Sequence, residues 1–84
     1  MLEDKDKHRA ILIFLGKRIK LIRVKKGFRQ TEIAYRCNFD KSSYNNIEAG
    51  KRNVTILTLC KIAYALEEPI SSFITSMDEE LPNI

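Results

Sequence analysis

The chain of 84 residues has no tryptophan, two cysteines, one histidine, three glycines and two prolines. Each shortage excludes something. Cys37 and Cys60 are too few and too far apart for a zinc set or a disulfide framework. Both are expected as small core hydrophobes. His8 lies in a charged stretch with no cysteine near it, which leaves no His-based metal site or catalytic constellation. Gly16, Gly27 and Gly50 are isolated, so no glycine-rich phosphate loop exists. An enzyme is therefore not expected, nor is a cofactor or a metal. The longest apolar run, residues 10–15, falls far short of the roughly 18 residues a membrane span needs. The opening "MLEDKDKHR" mixes both signs of charge, and no small-residue cleavage site follows it. The expected compartment is the cytoplasm, and the length sets one domain as the expectation.

Charge is plentiful and unevenly placed. Residues 10–66 carry twelve Lys and Arg against Glu32, Asp40 and Glu48. Residues 67–84 carry Glu67, Glu68, Asp78, Glu79 and Glu80 and no Lys or Arg. Residues 1–9 balance at three against three. A basic body on this scale suits a polyanion, though solubility alone would also account for it.

Helical periodicity organises the middle of the chain. Ile11, Leu15, Ile19 and Ile22 recur at i, i+4, i+8 and i+11, one face of a helix that carries Lys17, Arg18, Lys20, Arg23 and Lys25 on the other. Gly27 ends it, with Lys25 and Lys26 in the last turn. A second helix is predicted from about Gln30 to Cys37, with Ile33, Ala34 and Cys37 inward. Asn38 tolerates the left-handed turn that follows, and Phe39 plugs it. Asp40 caps a third helix, which reaches about Ala49 and stops at Gly50. Thr55 caps a fourth, with Ile56, Leu59, Ile62, Ala63 and Leu66 inward. Pro69 interrupts, and Ile70, Phe73 and Ile74 fit a short fifth helix. No strand signal is left, so the class is all-α. The chain divides into a charged segment 1–9, a folded domain 10–75 and an acidic tail 76–84. Only Asn38-Phe39-Asp40 separates helices two and three, and small Ala34 sits at their crossing: the pattern of a helix-turn-helix.

The stretch "NFDKSSYNNIEAGKRN", residues 38–53, has little core material. Tyr44 and Ile47 alone anchor the third helix. That leaves Lys41, Ser42, Ser43, Asn45 and Asn46 outward. Amides and hydroxyls stand where solvated helix faces usually carry Glu and Lys. Asn can pair with adenine, Lys can reach guanine, and Ser serves either. The major groove admits one helix, whose first residues meet base edges.

Several motifs in combination complete the reading: "LGKRIKLIR", Gln30 opening helix two, "IA" at 33–34, "NIEAGKR" at 46–52 and "LCKIAYAL" at 59–66. Over residues 15–73 the chain resembles the Cro/cI-type (XRE-like) helix-turn-helix family of bacterial and phage repressors. The resemblance implies a compact, lambda-repressor-like bundle of five helices around a central helix-turn-helix. It implies base contacts from Lys41 and Ser42, with Asn45 and Asn46 one turn later. Gln30, Lys51, Arg52 and Asn53 match positions that meet phosphates, and Arg29 and Ser43 are placed with them. Arg23 and Glu48 match a structural ion pair that holds the recognition helix and touches no base. Arg29 stands where the family usually has Ser or Thr, which weakens the helix-two cap by about 1 kcal/mol. Asn38 and Val54 replace a common Gly and a common Pro.

One recognition helix reads only a few base pairs, so a homodimer on a pseudo-palindromic operator is expected. Ile70, Phe73 and Ile74 are assigned to the dimer interface, and Ile13 and Phe14 are a second candidate. The partner is double-stranded DNA, and no membrane or small-molecule ligand is expected. The alternative function is the antitoxin of a toxin–antitoxin pair, which would bind a toxin and regulate itself through the same domain. The acidic tail reads either as solvated filler or as a segment held off DNA by repulsion.

Overall fold

The structure is a computed structural model and describes residues 4–81. The outer ends of the expected terminal segments, residues 1–3 and 82–84, lie outside the described residues. The helices are α1 (Asp4–Lys25), α2 (Gln30–Arg36), α3 (Lys41–Glu48), α4 (Ile56–Ala65) and two single turns, α5 (Ser71–Ile74) and α6 (Met77–Glu80). No strand occurs among the described residues. The fold is an all-α bundle around a helix-turn-helix formed by α2 and α3. None of these helices is long and apolar enough to cross a membrane.

Two boundaries differ from expectation. α1 begins inside the segment read as separate, at Asp4, with Asp6 in its first turn, where negative charge favours the helix dipole. Its 22 residues span roughly 33 Å at 1.5 Å per residue, most of the molecule's 39 Å length. The acidic tail folds one extra turn, α6.

The first four helices stop in the same way. In each, one residue in the left-handed conformation reverses the chain, and the two N–H groups around it bond back to the last turn. After α1, Gly27 N–H reaches the Val24 carbonyl and Phe28 N–H reaches Arg23, at 3.0 and 3.1 Å. Asn38 (φ 59°), Gly50 (φ 72°) and Glu67 (φ 57°) occupy the equivalent positions after α2, α3 and α4. The helix starts are capped where side chains allow it. Thr55 Oγ1 accepts the Thr58 N–H at 3.1 Å. Arg29 has no acceptor for the first turn of α2. Glu32 instead reaches back to the Arg29 N–H at 2.8 Å and supplies half of a capping box.

α1 packs against α3 and α5, and α2 packs against α3 and α4. Leu15, Ile19, Ile33, Ala34, Cys37, Tyr44, Ile47, Leu59, Ile62, Ala63, Ala65, Leu66 and Phe73 form the core. Ile22, Phe28, Phe39, Val54 and Ile70 close its edges. Three expectations are corrected. Phe73, assigned to a dimer interface, is fully buried. α5 is a single turn against α1, and its one ring completes a core too small to spare it. Ile56, read as inward, is largely exposed, because it stands in the first turn of α4 beside the Leu59–Ile62–Leu66 stripe. Cys60 is exposed, and only Cys37 is buried.

Candidate nucleic-acid interface

Glu48 ends α3 and lies buried with Arg23 of α1. Arg23 grips its carboxylate with two bonds, Nε to Oε2 at 2.6 Å and Nη2 to Oε1 at 3.1 Å. The Tyr44 hydroxyl donates to Oε2 at 2.6 Å, and the Gln30 side-chain amide donates to Oε1 at 2.9 Å. The third guanidinium nitrogen, Arg23 Nη1, donates to the Phe28 carbonyl at 2.7 Å. One carboxylate therefore collects donors from α1, α2 and α3, and Arg23 also pins the turn into α2. Burial alone would raise the Glu48 carboxyl. The hydrogen bonds from Arg23, Tyr44 and Gln30 outweigh it and hold the group below the usual carboxylate range. The Glu48 hydrogen bond also raises Arg23 above its ordinary value, against the opposing effect of burial. Burial, reinforced by the bond to Glu48, pushes the Tyr44 phenol far above its ordinary value.

Close approach at the back of α3 needs Gly16. A Cβ there would lie 2.5 Å from the Glu48 carbonyl oxygen and 2.7 Å from that of Ile47. α1 thus meets α3 backbone to backbone, about two turns of α1 before Arg23.

With its back fixed, α3 presents Lys41, Ser42 and Asn45 as exposed residues, and Asn46 is half-buried at the edge. The Gln30 amide also donates to Asn45 Oδ1 at 3.3 Å, which leaves the Asn45 NH₂ facing out. Lys51, Arg52 and Asn53 are exposed in the loop beyond Gly50. Arg29, Gln30 and Lys41 line one shallow cavity between the starts of α2 and α3. Two residues assigned to phosphate are turned elsewhere. The Ser43 hydroxyl donates to Asp40 Oδ2 at 3.1 Å, while its N–H caps onto Oδ1 at 2.6 Å. That cap lowers the Asp40 carboxyl and keeps a negative charge beside Ser43. Gln30 points its amide inward, where Glu48 and Asn45 use it. Ile13 is partly exposed, and Phe14 lies under the Arg18 guanidinium, 4.9 Å from the ring centre.

A family model described as "Helix-turn-helix" matches residues 19–73. The chain belongs to the Cro/cI-type helix-turn-helix family. It is 32% identical over 65 residues to an uncharacterised HTH-type transcriptional regulator of Sinorhizobium fredii, covering 77% of this chain and 84% of that protein. It is 32% identical over 71 residues to the control protein C.MunI of a Mycoplasma species, covering 83% of this chain and 96% of that one. Among solved structures, the restriction-modification controller protein C.AhdI from Aeromonas hydrophila shares the fold at a TM-score of 0.73 and 31% identity. That alignment covers 76% of this chain and 97% of C.AhdI. The chain is a DNA-binding helix-turn-helix transcriptional regulator.

Tyr44 of α3 and Gly16 of α1 help fix the recognition helix and carry sequence signals that the expectations above do not use. The Tyr44 hydroxyl was read only as part of an apolar anchor, although its spacing of four residues from Glu48 places both on one helix face. Gly16 was read as isolated. Its signal was a glycine in a strong helical pattern, which marks a packing reason when it costs helix stability.

Proposed function

We propose that this regulator binds a specific pseudo-palindromic operator as a homodimer and controls transcription from it. α3 enters the major groove of each half-site. Lys41, Ser42 and Asn45 meet base edges, with Asn46 at the rim. Arg29, Lys51, Arg52 and Asn53 meet phosphates on either side. Gln30 acts as a positioning residue through Asn45 and Glu48. The observation that carries this reading is the pairing of a clamped back with an open front: Glu48 fixes α3 from three helices while Lys41 and Asn45 stay exposed. The relatives named as control and controller proteins support the regulatory role. A second copy is required because one short helix spans too few base pairs for an operator. Ile70, half-buried, and Ile74, exposed, are what α5 offers that copy now that Phe73 is spent on the core.

Selection from a random duplex pool with the purified protein tests this reading. The expected product is an inverted repeat with half-sites about one helical turn apart. Recovery of duplexes with no shared sequence overturns specific operator binding. Recovery of a single unrepeated half-site overturns the dimer.

A further inference from the structure

The α1 face that holds α3 does not stop where α3 stops. At 3.6 residues per turn, Arg23, Ile19, Gly16, Leu12, Arg9, His8 and Lys5 lie along one side of α1. Arg23 and Gly16 on this side meet Glu48 and the α3 backbone. Further toward the start of α1, the same side overhangs the loop after α3. There Lys5, His8, Arg9 and Leu12 join Gly50 and Lys51 around an open cleft of about 390 Å³, ample for a phosphodiester group. Among the described residues, Lys5, His8, Arg9 and Lys51 make no ion pair or side-chain hydrogen bond. The segment is neutral in sequence, but the helix brings Lys5 and Arg9 together on the cleft side. Asp6 stands at the edge of that side, about 100° round from Lys5 and about 60° round from Arg9.

We propose that this cleft is a second phosphate-binding surface for DNA, which extends the contact of each subunit along the duplex backbone beyond the recognition helix. Lys51 is shared between the loop and the cleft, so the two surfaces are continuous. The cleft holds point charges and no fixed array of donors and acceptors, so it adds affinity and salt dependence without sequence preference. This inference rests on the DNA-binding reading above.

The test measures affinity against salt for a mixed-sequence duplex of about 30 base pairs, some three helical turns, by fluorescence anisotropy. The proteins are the parent, the double variant Lys5→Ala/Arg9→Ala, and the control Lys7→Ala/Lys25→Ala, which removes the same charge from the opposite side of α1. Circular dichroism confirms that each variant keeps its helix. The cleft variant is expected to lower the slope of log affinity on log salt by about two, and the control to leave it unchanged. Equal slopes in the cleft variant and the parent overturn the cleft while leaving DNA binding intact. Equal losses in both variants also overturn it, because the effect is then net charge. A parent with no salt-dependent binding overturns the DNA-binding reading itself.

Discussion

Removing the Glu48 carboxylate strands a buried guanidinium. Among the described residues Arg23 has the Phe28 carbonyl as its only other hydrogen-bond partner, and the residue is 8% exposed. Glu48→Ala should therefore destabilise the fold by about 3–5 kcal/mol, the cost of leaving a buried charge unpaired. A urea midpoint within error of the parent would show that the pair is not buried in solution. The same site makes stability depend on pH in two directions. The Glu48 carboxyl is depressed in the folded state, so its contribution is complete above the ordinary Glu value near ~4.3. It is lost as pH falls toward the lower folded value. The Tyr44 phenol is raised, so its contribution is complete below the ordinary Tyr value near ~10 and is lost as pH rises above it. Melting temperature across pH should fall at both ends. Tyr44→Phe should abolish the alkaline fall and cost about 1 kcal/mol at neutral pH, one hydrogen bond. An alkaline limb that persists in the variant would assign it to another group.

At the scale of helices, two positions decide how the elements meet and end. Gly16→Ala improves helix propensity by about 1 kcal/mol. The added methyl would sit 2.5 Å from the Glu48 carbonyl oxygen, and a backbone atom cannot swing aside. Overpacking of this kind costs about 1–3 kcal/mol, so the clash wins. The variant should be less stable in urea and should bind DNA more weakly than its stability loss explains, because α3 is displaced. A variant that gains stability would mean that α1 and α3 do not approach so closely. Glu67 presents the reverse case. It occupies a left-handed position that costs a non-glycine residue about 1–2 kcal/mol. Its exposed pair with Arg36, at 3.6 Å, returns little. Glu67→Gly should stabilise by roughly 0.5 kcal/mol after the added freedom of the unfolded chain is counted. Calorimetry reads the sign directly.

Helix order and caps were legible in the sequence because they rest on local chemistry. Asp40, Thr55, Gly27 and Gly50 each act on their own few neighbours, and all four stand where the pattern placed them. What escaped was set between elements. Whether Phe73 faces inward or a second subunit depends on how much core α1 and α4 leave unfilled, which no spacing records. The Glu67 turn was hidden because glutamate rarely takes that conformation. Gln30 and Ser43 carry the residue types that phosphate contacts use. Their protons are taken by Glu48, Asn45 and Asp40, and those partners become visible only when the helices are docked.

Over the whole molecule, the fold sorts the charge that the sequence left in blocks. The acids that follow α4 turn back onto cations of the bundle. Glu68 pairs with Lys26 at 3.2 Å and Glu80 with Arg18 at 3.5 Å, while Arg18 also holds the Ser72 carbonyl at 2.9 Å. Within the tail, Glu80 reaches Arg18 of α1, and Glu68 before it reaches Lys26 just beyond α1. Among the described residues Lys41, Lys51 and Arg52 have no such acid. The proposed reading sets a duplex on the side where these cations are left unpaired, and two classes of contact should separate there. Lys51→Ala and Arg52→Ala should weaken binding to selected and random duplexes alike, each lowering the salt slope by about one. Lys41→Ala and Asn45→Ala should instead cut the ratio of selected to random affinity by about 1–3 kcal/mol for each lost base contact. If all four variants weaken both duplexes equally, α3 grips the backbone and does not read bases.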